Sequence, residues 1–187
     1  MKRRKGFTLI ELLVVIVIIG ILAALLLVAI GAGIRMARRT QANYDVKSIA
    51  MALQSYFSEY HKWPPTMIPD PEHVPVKISG NIAKLLQGEN VPATPLPGGN
   101  PRKMTFMQFK RLAGDDAAKP VNPWWKGSAE PSDDETYWFK LDNNFDNVID
   151  GTGNPEGPPE MTIKRSVIVW TRNMDNNTFI MSSDERK

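Results

Sequence analysis

A long apolar segment near the N-terminus is the feature that most constrains how this chain can fold. From residue 7 to residue 34 the only charged side chain is Glu11, and residues 12–34 carry no charge. About 20 apolar residues are enough to cross the hydrocarbon core of a bilayer as a helix. The sequence therefore predicts a membrane-spanning helix, unless the whole segment is removed by cleavage.

The positive charge of the chain is concentrated at one end. The net charge is +3, yet residues 2–5 alone contribute +4, so the remaining side chains sum to −1. This distribution gives no support for a nucleic-acid-binding patch on a folded domain, and no nucleic-acid partner is expected. Basic residues favour the cytoplasmic side of a membrane. Four basic residues precede the apolar segment, and three follow it, namely Arg35, Arg38 and Arg39. This difference gives a small bias toward a cytoplasmic N-terminus.

Helical spacing of apolar side chains continues beyond the apolar segment. They recur at alternating steps of four and three, at Ala42, Val46, Ile49, Leu53, Tyr56 and Tyr60. This spacing places them on one face of a helix. Pro64 and Pro65 end the pattern because proline cannot continue the backbone hydrogen-bond ladder. We predict one helix from about residue 7 to residue 60, apolar all round in its first half and amphipathic in its second.

The composition changes after Trp63, since all fifteen prolines follow it. Short helices are predicted at residues 81–87 and 103–112, and the acidic run at residues 133–135 is predicted to be a solvated loop. Segments rich in aromatic and β-branched residues predict strands at 136–141, 166–171 and 178–182. A small antiparallel sheet packed on the amphipathic half of the helix would give an α+β fold.

The N-terminal residues resemble a known family. A short basic leader, Gly6, an aromatic residue at Phe7 and a glutamate four residues later at Glu11 are similar to the N-terminus of type IV pilins and of type II secretion system pseudopilins. The resemblance is carried by the stretch KGFTLIELLVVIVIIGILAA. The rest of the chain is similar only in layout, and the implied architecture is the type IV pilin-like fold.

The resemblance also implies how the chain is processed and used. A prepilin peptidase would cleave between Gly6 and Phe7 and methylate the new amine of Phe7. The single-pass subunit would wait in the inner membrane, surrounded by lipid, with its C-terminal domain in the periplasm. An inner-membrane assembly platform would then extract it into a periplasm-spanning filament with its own copies and minor pilin-like subunits. The implied domains are a leader, a transmembrane and filament-core helix, an amphipathic half-helix and a periplasmic globular domain, at 1–6, 7–34, 35–62 and 63–187.

Glu11 is the residue on which this interpretation depends. A carboxylate within a membrane segment costs about 3 kcal/mol and tends to be paired or functional. Cleavage would create an ammonium on Phe7, and in a filament Glu11 could pair with the amine of a neighbouring subunit. The alternatives are that Glu11 reaches the lipid headgroups and that Gly6 is only a flexible entry to the helix.

Many family members carry a proline midway along the membrane helix, where this chain has Val28. Gly31 and Gly33 could weaken the helix instead, since glycine lowers helix stability by about 1 kcal/mol. They could equally allow neighbouring helices to pack closely. The sequence leaves both interpretations open.

A loop rich in Asp and Asn suggests a metal site. Calcium needs several oxygen ligands from a short, turning segment, and alternating candidates occur at Asp142, Asn144, Asp146 and Asp150. Asp175 could add an oxygen if its loop lies nearby. The loop is not an EF-hand, because Asn147 stands at the position that requires glycine. The alternative is an ordinary turn between strands; no other cofactor is predicted.

Three functions are compared. The first is a structural subunit of a type II secretion pseudopilus, and the second is a type IV pilin of an adhesion, motility or DNA-uptake pilus. The absence of cysteine excludes the disulfide loop of many major type IV pilins, which favours the first over the second. A membrane-tethered enzyme or binding domain is the third. The chain has only two histidines, His61 and His73, and no phosphate-binding glycine loop, and a tether gives no reason for Gly6, Phe7 and Glu11 to coincide. We predict a protein that is not an enzyme.

Overall fold

The computed structural model describes residues 7–64, 67–68, 74–89, 99–114, 119–128, 130–142, 149–150, 162–163 and 166–182. The chain divides into two compact units, residues 1–37 and residues 38–187. Helix α1 contributes to both of them, since it covers Leu9–Tyr60. The predicted long helix is therefore confirmed, with its first turn two residues later than expected.

The two units use helix α1 differently. Every residue from 7 to 30 is exposed, as expected for a helix that has no apolar partner among the described residues. In the second unit the predicted apolar face is buried at Ala42, Val46, Ile49, Leu53 and Tyr56, while Tyr60 is half-buried. The helix ends at Tyr60, and His61 follows it in the left-handed region with a φ of 51°. Trp63 then stacks on Phe57 at 4.9 Å between ring centroids.

In the part of the chain that the structure describes, the second unit contains eight short strands and one further α-helix. The strands are β1 (Val76–Lys77), β2 (Leu112–Ala113), β3 (Lys119–Pro120), β4 (Trp138–Leu141), β5 (Ile149–Asp150), β6 (Thr162–Ile163), β7 (Val167–Asn173) and β8 (Thr178–Met181). Helix α2 covers Gly80–Leu86 and is capped by Ser79. The helix predicted at 81–87 and the three predicted strands are thus confirmed as α2, β4, β7 and β8.

The central sheet is antiparallel, with the strand order β1-β4-β7-β8. Successive side chains of a strand point to opposite faces of the sheet. Phe139 and Val169 are paired and belong to the main core, together with the buried face of α1. Their neighbours Trp138 and Trp170 are also paired but belong to a smaller cluster with Ile149 on the other face. Two separate ribbons, β2-β3 and β5-β6, complete the fold.

The helix predicted at residues 103–112 is wrong. Residues 103–109 have no regular secondary structure, and β2 begins at Leu112. The backbone N–H groups of Phe106 and Met107 donate to the carbonyl of Leu86, at 2.8 and 3.2 Å, so their hydrogen bonds go to the end of α2 and not to a local helix. Gly88 permits this approach. Its φ is +79°, and a Cβ there would lie 2.7 Å from the carbonyl oxygen of Lys103.

The acidic run is not simply a solvated loop. Asp133–Glu135 forms a turn of 3-10 helix, in which Glu135 is buried and forms a capping box with Ser132. Asp133 forms an ion pair with Lys77, and Asp134 accepts from Arg172 at 2.7 Å. The segment is therefore fixed to strands β1 and β7, which the sequence pattern did not indicate.

Candidate functional site

Glu11 lies in the first turn of α1, and its carboxylate turns back to the residue before the helix. Oε2 of Glu11 accepts from the backbone N–H of Thr8 at 2.8 Å and from the Thr8 hydroxyl at 2.6 Å. The backbone N–H of Glu11 lies 3.3 Å from the Thr8 hydroxyl oxygen, which accepts from it. Two N–H groups at the start of the helix are thus satisfied reciprocally, in the arrangement known as a capping box.

The capping box gives Glu11 a role inside its own subunit. The first N–H groups of a helix have no partner within the helix, and leaving them unsatisfied is most costly in apolar surroundings. A carboxylate is also stabilised near a helix N-terminus by the helix dipole. This role was not predicted from the sequence, although Thr8 and Glu11 stand at the Thr-x-x-Glu spacing that is its signature.

One oxygen of the Glu11 carboxylate, Oε2, accepts both of the hydrogen bonds described for that carboxylate. Both Thr8 groups donate to Oε2, and none of the residues described from position 7 onward donates to Oε1. Phe7 is exposed beside this turn. Gly6 lies outside the described residues. The turn therefore holds the carboxylate in place while leaving one of its oxygens accessible.

The segment that follows is long and apolar enough to cross a membrane. The helix continues without interruption through Val28, Gly31 and Gly33. A Cβ added at Gly33 would meet no atom within 4 Å, so packing inside the subunit does not require glycine there. These features make the first unit a membrane anchor with one carboxylate near its N-terminal end.

The predicted calcium ligands are not all brought together. Asp142 is buried at the end of β4, where its N–H donates to the carbonyl of Ser166 at 3.0 Å. Asp150 lies in β5, and Asn144 and Asp146 lie outside the described residues. Asp175 is exposed in the turn after β7, where its carboxylate accepts from the indole N–H of Trp124 at 2.9 Å.

Asp142 and Asp175 lie at opposite ends of strand β7. Ser166, the partner of Asp142, immediately precedes the strand, whereas Asp175 follows its last residue, Asn173. A seven-residue strand is about 20 Å long at roughly 3.3 Å per residue. One ion cannot bind both carboxylates across that distance. In the described part of the chain no group of three histidine, aspartate or glutamate side chains could hold a metal ion, and calcium binding by the 142–150 loop stays a prediction.

A groove of about 520 Å³ lies in the second unit between α1 and residues 106–111. At its base the carboxylate of Asp45 accepts from the amide of Gln41 and from the hydroxyl of Tyr137, each at 2.7 Å. Burial, and then the nearby charge of Asp45, raise the pKa of Tyr137 well above its usual value. At the rim, the ammonium of Lys110 lies 5.5 Å from the centre of the Tyr44 ring. The groove thus combines an occupied carboxylate with a cationic and aromatic edge.

Comparison with known proteins gives consistent matches. A family model described as the prokaryotic N-terminal methylation motif matches residues 1–27. The type II secretion system core protein G of Pseudomonas aeruginosa is 46% identical over 65 residues, which cover 35% of this chain and 46% of that protein. The proteins of the same name from Pectobacterium carotovorum and Aeromonas hydrophila are 34% identical over 97 residues and 31% identical over 115 residues.

The extent of these matches differs. The chain spans about half the length of the Pseudomonas aeruginosa protein. It spans 61% of the Pectobacterium carotovorum protein, and that match includes 46% of this chain. The match with the Aeromonas hydrophila protein covers 55% of this chain and 73% of that protein. No solved structure matches the chain significantly.

Proposed function

Because this chain belongs to the family of type II secretion system core protein G, we propose that it is a structural subunit of the pseudopilus, a pilus-like filament of that secretion system. A prepilin peptidase cleaves it after Gly6 and methylates the new amine of Phe7. The anchored subunit, with its second unit in the periplasm, is then extracted into a filament of its own copies and minor pilin-like subunits. It acts by assembly and catalyses no reaction.

The first turn of α1 is the observation that carries this proposal. Thr8 holds the Glu11 carboxylate through Oε2, and Oε1 remains accessible beside the exposed Phe7. Charges attract strongly where water is excluded. A carboxylate that is already held by Thr8 also loses little side-chain freedom when a neighbouring amine binds it. The capping box thus prepares Glu11 to pair with the methylated amine of Phe7 on the next subunit.

The apolar half of α1 lies first in lipid and later in the core of the filament. Its side chains are exposed along the whole of residues 7–30, so the isolated subunit needs lipid around them. Helices that leave lipid for a filament core must exchange lipid contacts for contacts with other copies. An unpaired Glu11 is unfavourable in either place, so pairing fixes the position at which a new subunit docks.

Two substitutions of Glu11 distinguish the role of its side chain in the capping box from the role of its negative charge. Glu11→Gln keeps an acceptor for the capping box, because Gln also serves at this position, but removes the charge. We expect both Glu11→Gln and Glu11→Ala to be cleaved normally and to yield no filaments, measured by mass spectrometry of membrane fractions and by electron microscopy of sheared material. Normal assembly of Glu11→Gln would show that capping, and not pairing, is what the filament needs. An N-terminus that retains residues 1–6 in the wild type would refute the proposed processing.

We also propose that the loop between Asp142 and Asp150 binds calcium. The proposal is supported by the Asp and Asn oxygens at alternating positions and by the strands β4 and β5 that end and begin at the loop. Asp175 is not included, because it lies at the far end of β7. Addition of a chelator should lower the unfolding temperature of the wild type but not that of Asp150→Asn. An unchanged wild-type unfolding temperature would exclude a structural calcium ion.

A further inference from the structure

The groove between α1 and residues 106–111 lies entirely within the second unit. It begins beside Gln41 and ends beside Ser55, 14 positions later on α1, a length of about 21 Å at roughly 1.5 Å per helical residue. Its volume of about 520 Å³ is within the range of ligand-binding sites. Tyr44 and Met51 line it and are each 59% exposed. Exposed apolar side chains that are grouped in this way often belong to interaction sites.

One wall of the groove carries positive charge. Lys110 and Arg111 line it and are exposed, and neither forms an ion pair with a residue that the structure describes. Asp45 also lines the groove, but both of its oxygens already accept hydrogen bonds, from Gln41 and Tyr137. The groove therefore favours a ligand that combines negative charge with apolar surface.

The backbone of the same wall has the alternating pattern of an extended strand. The N–H groups of Met107 and Phe109 donate to groups at the C-terminal end of α2. Those of Gln108 and Lys110, which alternate with them, donate to no group in the part of the chain that the structure describes. The side chains alternate as well, half-buried at 107 and 109 and exposed at 108 and 110. The wall thus offers an edge on which a second extended segment can pair.

A segment elsewhere in the chain has the matching chemistry. Residues 68–74 have the sequence IPDPEHV, in which Asp70 and Glu72 alternate with Pro69 and Pro71. A residue that precedes proline is biased toward extended backbone, and proline has no N–H to donate. In an extended chain the N–H groups of Asp70 and Glu72 share one edge, and the prolines occupy the other. Such a segment can pair along one edge only.

The two ends of this segment are apolar and exposed. Ile68 and Val74 are 44% and 41% exposed, and neither lines the groove of its own subunit. Residues 69–73 lie outside the described residues. Seven extended residues span about 20 Å, which matches the length of the groove. The segment and the groove are therefore different surfaces of one chain, with similar lengths and opposite charges.

We propose that residues 68–74 of one copy bind in the groove of the next copy, beside Lys110 and Arg111. The inference rests on the proposed function, since it names a contact between neighbouring subunits of the filament. Asp70 and Glu72 pair with the two cations through charge-assisted hydrogen bonds, and the extended backbone pairs with the wall. A contact between two different surfaces is heterologous, and its repetition can generate an open helical filament.

Glu89 is the competing acidic residue. It is exposed just after α2 and forms no ion pair with a residue that the structure describes. Its backbone N–H donates to the carbonyl of Lys84 at 2.9 Å. Glu89 therefore offers one carboxylate but no free N–H for pairing along the wall, whereas residues 68–74 offer two carboxylates at alternate positions.

Binding of a synthetic peptide tests the contact directly. The probe is a fluorescein-labelled peptide of residues 68–75, IPDPEHVP, and it is added to the full chain in detergent micelles. We expect saturable binding by fluorescence polarisation, weakened about tenfold or more in the variant Lys110→Glu with Arg111→Glu. A peptide with Asp70→Lys and Glu72→Lys should show the opposite preference, binding this variant and not the wild type.

Matched controls separate the groove from general charge and from detergent. Lys62→Glu with Lys126→Glu reverses the same charges at exposed positions outside the groove and should bind the peptide like the wild type. An unchanged near-ultraviolet circular dichroism spectrum must show that both double variants are folded. A peptide of the same composition in scrambled order should bind weakly to every chain.

Several results would overturn the inference. They are the absence of peptide binding by the wild type, equal binding by the groove variant, and equal binding of the scrambled peptide. Full-length Asp70→Asn with Glu72→Gln should form few filaments, and Glu89→Gln should form them normally. The reverse result overturns the inference in favour of Glu89. A wild-type chain that binds the peptide but forms no filaments instead refutes the proposed function and not the groove.

Discussion

Two carboxylates on helix α1 show how differently the two units are built. Glu11, in the first unit, is held by Thr8, three residues away. Asp45, in the second unit, is held partly by Gln41 and partly by Tyr137, which is 92 residues away in the sequence. The first carboxylate is positioned by hydrogen bonds within one turn at the start of the helix. The second is positioned in part by a tyrosine hydroxyl that reaches it only because the sheet packs against the helix.

The apolar side chains of α1 also differ between the two units in how far they are exposed. In the first unit they are exposed along the whole of residues 7–30. In the second unit one face is buried against the sheet, and the subunit itself supplies the partner. One continuous helix thus joins an exposed apolar segment to a segment whose apolar face is part of the core of the second unit.

The largest expected effect comes from the same substitution made in each half of the helix. Leu53 is fully buried and Leu25 is exposed. Leu53→Ala should lower the free energy of unfolding of the second unit by about 3 kcal/mol, because a buried leucine leaves a cavity. Leu25→Ala should leave it unchanged, measured by thermal unfolding in detergent micelles. Equal losses for the two variants would contradict the division into two units.

Asn122 offers a second test, because it is a buried polar residue that forms hydrogen bonds to distant parts of the chain. Its side-chain amide donates to the carbonyl of Asp134 at 2.7 Å and to the hydroxyl of Thr171 at 2.9 Å, and its side-chain oxygen accepts from the N–H of Trp124 at 3.0 Å. Asn122→Ala should cost about 2 kcal/mol, since buried partners lose their hydrogen bonds. Asn43→Ala, which removes a bond to the Arg39 carbonyl on the same helix, should have little effect by the same denaturant titration.

Tyr137→Phe tests the long-range bond of Asp45 alone. The substitution keeps the ring and removes the hydroxyl that donates to Asp45 at 2.7 Å. A hydrogen bond to a charged group contributes about 1.5 kcal/mol or more, so we expect a loss of roughly that size in the free energy of unfolding. Thr8→Ala, which weakens the local cap of Glu11, should not change the unfolding of the second unit. A stable Tyr137→Phe variant would mean that apolar packing alone positions the helix on the sheet.

A dependence on alkaline pH is also expected in the second unit. Burial, with a smaller contribution from Tyr60, raises the pKa of Tyr56 to about 12, and the pKa of Tyr137 is raised well above its usual value. In the unfolded chain tyrosine ionises near pH 10. The stabilisation is therefore complete below about pH 10 and is lost as the pH rises through the folded-state values. The unfolding temperature should fall above pH 10, and less steeply in Tyr137→Phe; a flat profile would contradict the raised pKa values.

Prediction from the sequence succeeded where residues close in the chain decide the structure. The steps of four and three from Ala42 to Tyr56 correctly predicted the buried face of α1. It failed at residues 103–112, because Phe106 and Phe109 have a spacing that also fits a helix. The backbone N–H of Phe106 donates instead to the carbonyl of Leu86, and that of Phe109 donates to the side-chain oxygen of Gln87, each about 20 residues away. The two-residue strand β1 was too short to leave any pattern.

By itself the sequence determined the long helix, its apolar first half and the placement of Glu11 three residues after Thr8. These features depend on helical periodicity and on groups within one turn of each other, which any copy of this segment would form. Only the tertiary structure decided that Lys110 lies over Tyr44, that Tyr137 reaches Asp45 and that β7 separates Asp142 from Asp175. Such contacts join residues far apart in the chain, and they follow from strand order and loop path, which no local pattern encodes.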